Sequence, residues 1–98
     1  MKYDGTEVFV KYSKYMEGNR LALALFDEDK SLYAVLTVNL PYEQLSDEHC
    51  AFIDINNLPD AEEFIEKYNL AKPTGRYGFS GFCMYPEYRF NKEVPQDV

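Results

Sequence analysis

Tryptophan is absent from this 98-residue chain, histidine occurs once and cysteine only twice. Cys50 and Cys83 are 33 positions apart, too sparse for a disulfide framework and without the paired spacing of a zinc knuckle. They read as two free, partly buried thiols in a reducing compartment. No stretch approaches the roughly 20 apolar residues of a membrane span. Residues 1–6 lack the apolar centre of a signal peptide. The expectation is a cytoplasmic protein with no membrane partner. Bases are scarce too: ten Lys and Arg stand against 17 Asp and Glu, a net charge of −7. Phosphate contacts need clustered Lys and Arg, so direct nucleic-acid binding is not expected.

What is abundant is hydrophobic and aromatic. The hydrophobic fraction is 46%, and nine Tyr and seven Phe make up the aromatic share, which argues against a disordered tail. A chain of this length can bury a core without disulfide or metal staples, and none is expected to be needed for folding.

The first 40 residues read as a β-meander. Val8, Val10 and Tyr12 alternate with Phe9 and Lys11, and Leu21, Leu23 and Leu25 alternate with Ala22, Ala24 and Phe26. A third run puts Leu32, Ala34, Leu36, Val38 and Leu40 on one face, opposite Tyr33, Val35, Thr37 and Asn39. Short polar turns at residues 17–19 and 27–30 favour antiparallel pairing of neighbours. Pro41 stops the third run, and residues 42–48 read equally as a loop or one helical turn. A short strand at residues 51–55 precedes a helix at about residues 58–68, with Asn57 as N-cap and Pro59 in the first turn. Ala61, Phe64, Ile65 and Tyr68 form its apolar stripe, Asp60, Glu62 and Glu63 suit its positive end, and Asn69 terminates it. Gly75, Gly78 and Gly81 punctuate an aromatic-rich loop, and a last strand between Phe82 and Phe90 is confined by Pro86 to an edge or a bulge. The expected fold is α+β: an antiparallel sheet, built from the N-terminal meander and a C-terminal edge strand, with one amphipathic helix on a face. A single domain is expected over residues 1–91, with a frayed tail at 92–98.

The motifs that would carry catalysis or cofactors fail on spacing. The glycine series is neither a dinucleotide fingerprint nor a phosphate loop, and the bare GXXG at residues 75–78 lacks a basic groove. His49 adjoins Cys50, but neighbours on an extended chain point to opposite faces, so His49 would not activate that thiol. A zinc site from His49, Cys50, Cys83 and a carboxylate is poorly signalled. Asp54 interrupts an apolar run without a partner acid or histidine. No cofactor is expected, and the chain reads as a binding protein rather than an enzyme.

The acid is concentrated in one segment. Residues 1–40 carry six acids and five bases, and residues 71–98 carry three acids and four bases. Residues 41–70 hold Glu43, Asp47, Glu48, Asp54, Asp60, Glu62, Glu63 and Glu66 against Lys67 alone. Such a field attracts a basic protein surface, although a solvated helix face would look the same. Glu87 and Glu93, in nearly neutral surroundings, are expected to matter less.

Thr37 to Leu40, Phe52 to Asp54 with Asn56 and Asn57, and Pro73 to Gly78 followed by Ser80, Gly81, Phe82, Cys83 and Pro86 carry a resemblance. Over roughly residues 6–90 the chain resembles a family of small domains of unknown function found on conjugative elements, plasmids and prophages of Gram-positive and gut bacteria. The resemblance implies a mobile-element accessory protein. Small acidic proteins of such elements are often anti-CRISPR or antirestriction inhibitors that occlude a basic nucleic-acid groove. The implied partner is then a protein with a basic surface, such as a Cas or restriction nuclease. Glu43, Asp47, Glu48, Asp60, Glu62, Glu63 and Glu66 would meet it. The alternative is a general interaction module that binds through the aromatic loop, with Arg76, Tyr77 and Phe79 in contact.

Overall fold

The computed structural model describes residues 1–91; the expected tail at 92–98 lies outside the described residues. Two short strands, β1 (Lys2–Tyr3) and β2 (Thr6–Glu7), form a hairpin. It turns on Asp4 and Gly5, both at positive φ, which matches the twist of the flanking strands. Next come β3 (Phe9–Lys14), β4 (Leu21–Phe26) and β5 (Leu32–Val35), an antiparallel meander in the order β3-β4-β5. Val8, Val10, Leu23 and Leu25 are fully buried on its inner face, as their alternation predicts.

The third apolar run does not continue as one strand. It breaks at Leu36, and β6 (Thr37–Val38) joins a different sheet. Leu36 spans the break: its N–H donates to Leu23 O and its carbonyl accepts from Asp54 N–H, both at 2.9 Å. The face expected of the whole run is therefore lost at its start, where Leu32 is exposed while Leu36 and Leu40 are buried. Thr37, expected opposite the core, is buried because its hydroxyl accepts from Leu23 N–H at 3.1 Å and shares a hydrogen bond with Tyr15.

The second sheet is completed by β7 (Cys50–Ile53), β8 (Ala71–Ser80) and β9 (Cys83–Phe90), in the order β6-β7-β9-β8. Two expectations change here. The glycine-punctuated segment is not a loop but the edge strand β8, and the C-terminal strand is not an edge but lies between β7 and β8. Pro86 is tolerated inside because β7 pairs with β9 only as far as Phe52 opposite Glu87. Phe90 N–H donates towards β7, to His49 O, so the two-residue period turns the Pro86 nitrogen to that same side, towards Ile53, whose carbonyl accepts from Ile55 N–H instead. No donor is missed there. Gly78 is glycine for a steric reason: a Cβ would lie 2.7 Å from Phe52 Cε1 and 2.9 Å from Leu40 Cδ1.

Among the described residues one helix, α1 (Ala61–Lys67), packs on the sheet through Ala61, Phe64 and Ile65 of the predicted stripe; the fourth member, Tyr68, is the C-cap and is half-buried. The helix starts later than expected. Asp60 occupies the cap position without a side-chain hydrogen bond, and Asn57 instead donates its N–H and side-chain amide to the Asp54 carboxylate. Asn69 ends the helix at φ 53°, and Leu70 N–H returns to Ile65 O at 2.9 Å. Residues 42–48 form turns and bends without a helix. The main core joins the meander, α1 and one face of the second sheet, including Tyr88 and Phe90; a satellite cluster of Leu40, Phe52 and Tyr85 lies on the other face.

Candidate functional site

Side-chain alternation along β9 sorts the second sheet into two faces. Tyr85, Glu87 and Arg89 point to the face crossed by residues 41–48; Met84, Pro86, Tyr88 and Phe90 point to the helix face.

On the first face the structure places a group that sequence reasoning set aside. Glu87 is 0% exposed. It stands where three residues of β8, Thr74, Gly75 and Arg76, bulge between the pairs Pro73–Tyr88 and Tyr77–Pro86. Its carboxylate accepts from Ser46 Oγ at 2.6 Å, Ser46 N–H at 2.8 Å and Thr74 Oγ1 at 2.5 Å, and Arg76 Nη1 lies 3.5 Å away. Burial alone would raise this carboxyl, but those hydrogen bonds and the Arg76 charge outweigh it and hold it below the usual glutamate value. Glu87, expected to matter less to a partner than the helix acids, is an internal acceptor and not a surface charge; Glu93 lies outside the described residues. Nothing local signals this burial, because the covering loop comes from 41 positions away in sequence.

The same loop absorbs several candidate partner-binding residues. Glu43 accepts the outward-facing N–H of Phe79 at 2.8 Å, which blunts the β8 edge. Asp47 accepts from His49 N–H, Arg89 Nε and the Cys50 thiol, and the first two hold it below its ordinary value. Arg76 donates to Ser46 Oγ and Gln44 O, so it ties the loop to β8 instead of standing free. Glu48 is exposed, 3.7 Å from His49 Nε2. Burial, with the hydrogen bond to Asp47, pushes the Cys50 thiol up to about 11, which leaves it protonated and a poor nucleophile at neutral pH. Cys50 faces Arg89, six positions from Cys83 on β9, so the two sulfurs are separated by about 20 Å of strand and share no site. Among the described residues no three His, Cys, Asp or Glu side chains stand close enough to hold a metal ion.

The helix face is different. Glu62 Oε1 and Glu66 Oε2 both accept from the Tyr88 hydroxyl, at 2.7 and 2.9 Å. Burial and these two carboxylates push that hydroxyl far above its ordinary value. The helix acids thus do not all face outward freely: Glu62 and Glu66 lean over the sheet, and Asp60 and Glu63 line a cleft on the opposite flank, beside Tyr3 and Asp4. Along the same sheet face, roughly 7 Å per two residues, Tyr88 is followed by Pro86 opposite Tyr77 and Met84 opposite Phe79. Tyr77, Phe79 and Met84 are exposed, as is Phe82 at the hairpin tip. The acidic helix and the aromatic segment, separate candidates by sequence, are neighbours on one face.

An antiparallel α+β domain with a buried carboxylate behind its sheet and an apolar hairpin beside an acidic helix defines the class. The chain belongs to the family described as Domain of unknown function (DUF4313), whose model matches residues 9–97. No curated protein and no solved structure matches it significantly. Among the described residues no helix is long and apolar enough to cross a membrane.

Proposed function

We propose that this domain is a non-catalytic protein-binding module that docks a basic partner through α1 and the β8–β9 hairpin. The observation that carries the reading is the adjacency of exposed Tyr77, Phe79 and Met84 to Glu62 and Glu66 on one face. Aromatic and methionine side chains supply the desolvated centre of an interface, and charges at its rim set orientation and speed encounter. The mobile-element setting implied by the resemblance makes a Cas or restriction nuclease the partner of first choice, met at its nucleic-acid groove. Inhibition then follows from occlusion.

Titrating purified Cas and restriction nucleases against the protein tests this. Binding should weaken as salt rises, compete with the nuclease's own DNA or RNA, and fall by at least about tenfold in a Tyr77→Ser, Phe79→Ser double variant. A Glu62→Gln, Glu63→Gln, Glu66→Gln variant should lose the salt dependence. Glutamine is the informative replacement, because lysine at residues 62 and 66 would strip the Tyr88 hydroxyl of both acceptors. Salt-indifferent binding that is lost only in the hairpin variant favours the second reading, a general accessory module, which the four exposed apolar residues of the hairpin also support.

A further inference from the structure

We infer that the sheet face left bare between α1 and the hairpin tip is a seat for one amphipathic helix of the partner, apolar over the tip and basic beside α1. This rests on the reading above that the face is the docking surface, and adds the shape of what docks there.

A helix already covers the other part of this face. Phe90 and Tyr88 of β9 are buried in the main core with α1 and the meander. Beyond Tyr88 the same face runs on through Pro86, paired with Tyr77, and Met84, paired with Phe79. There the cover ends: Tyr77 and Met84 are each 48% exposed and Phe79 is 59% exposed. Apolar sheet faces are ordinarily buried under a second layer.

The dimensions fit a single helix. β7 ends at Ile53, so only β8 and β9 reach the tip. Two strands with their side chains make a platform about 10 Å wide, the diameter of one helix. From Tyr88 to Met84 is about 13 Å, the rise of about nine helical residues. The platform is supported from behind, where Phe52 and Leu40 pack so close to Gly78 that no Cβ fits.

The usual alternative is an added strand, and the β8 edge is closed to one. Phe79 N–H is taken by Glu43 at 2.8 Å and Arg76 N–H by Thr74 Oγ1 at 3.3 Å. Pro73 has no N–H, and residues 74–76 bulge out of register. A partner is therefore held by side chains on the face, as a helix with anchors three and four residues apart is held.

The apolar platform selects the helix, and the acids only orient it. Glu62 and Glu66 each commit one oxygen to the Tyr88 hydroxyl, and no described residue forms a salt bridge with either. They stand at the α1 end, whereas Tyr77, Phe79, Phe82 and Met84 towards the tip are uncharged. A second copy of this chain is the poorer occupant, because it brings its own acids and a net charge of −7 to the same face.

Amide chemical shifts of the intact protein should be followed during titration with a stapled helical peptide of about 16 residues, carrying leucines at helical spacing and two arginines about nine residues away. Saturating shifts are expected at Tyr77, Phe79 and Met84, and at Glu62 and Glu66. An unstapled peptide of the same composition broken by a central proline should bind at least about tenfold more weakly, and one with glutamates for arginines about fivefold more weakly. Tyr77→Ser with Phe79→Ser should abolish the response, and Met84→Gln alone should weaken it by about two- to fivefold. Equal binding of the broken peptide, or no binding of the stapled one, overturns the helix seat. Shifts on this face that grow with protein concentration alone give it to a second copy and overturn the seat too. A nuclease that binds through Tyr77 and Phe79 while the stapled peptide stays silent removes this inference alone and leaves the docking face standing. Indifference of nuclease and peptide alike to the Tyr77→Ser, Phe79→Ser change removes both.

Discussion

The two faces of the four-stranded sheet use acidic residues in opposite ways. On the loop face Glu87 is wholly buried and saturated by donors from Ser46 and Thr74, with Arg76 beside it. On the helix face Glu62 and Glu66 share one hydroxyl and otherwise meet solvent beside exposed aromatics. The difference shows that acid content does not measure available charge. A carboxylate acting as an internal acceptor contributes to the fold; one at a helix surface remains available to a partner.

The largest effect that separates the faces should come from Glu87. Glu87→Lys buries an ammonium among donors and Arg76, and should prevent folding or cost more than about 4 kcal/mol. Glu87→Gln keeps the shape but offers its donors one acceptor oxygen and an amide, and should cost about 1–3 kcal/mol in urea denaturation. The Tyr77→Ser, Phe79→Ser variant on the other face should stay within about 1 kcal/mol of the parent. Acidification sharpens the contrast. Because the folded-state value of Glu87 is depressed, its stabilisation is complete above the ordinary glutamate value of about 4.3 and is lost as pH falls through the lower folded value. The Glu87→Gln protein should show a shallower loss of Tm over that acid range. Equal acid sensitivity would mean that other carboxylates, such as Asp47, carry it.

A smaller effect is expected at Gly78, on the Leu40–Phe52 cluster behind the loop. Gly78→Val forces Cβ into the Phe52 ring and the Leu40 methyl, both in tightly packed surroundings. The cost should be about 1–3 kcal/mol, partly recovered in a Gly78→Val, Phe52→Leu double variant, which a double-mutant cycle would register. Full additivity would show that the strand, not the ring, resists the side chain.

These positions also mark how far local pattern reaches. The strands from Val8 to Leu25 and the stripe of Ala61, Phe64 and Ile65 follow from periodicity, because burial there is set by residues two, three or four apart. Asn69 ends the helix for the same local reason. Asp4-Gly5 is a strong hairpin signal that the patterning argument passed over, and with it went Tyr3 and the cleft. The break at Leu36 was not legible, because the alternation is uninterrupted and only the two sheets it joins reveal the change. Nor was Glu87, whose strand neighbours suggest a solvent face until the loop from Ser46 covers it. The glycines of β8 misled for a related reason: their steric and turn roles depend on Phe52 and on a partner strand, not on their own sequence.

The smallest effect bears on the helix acids themselves. Tyr88 is buried, and its hydroxyl has two acceptors where one would suffice. Glu62→Gln or Glu66→Gln should therefore each cost less than about 0.5 kcal/mol, since the remaining carboxylate keeps the bond and glutamine retains a carbonyl oxygen. Together they should cost about 1 kcal/mol, slightly more than the sum, because charge-assisted bonds are stronger than neutral ones. Tyr88→Phe should cost a similar amount and make the two glutamine changes nearly silent, for then no hydroxyl depends on them. That pattern leaves both acids mainly at the surface, available to a basic partner. If the double glutamine variant instead costs as much as Glu87→Gln, the helix acids are internal acceptors like Glu87. The contrast between the faces would then collapse, and the hairpin aromatics would be left as the docking face by themselves.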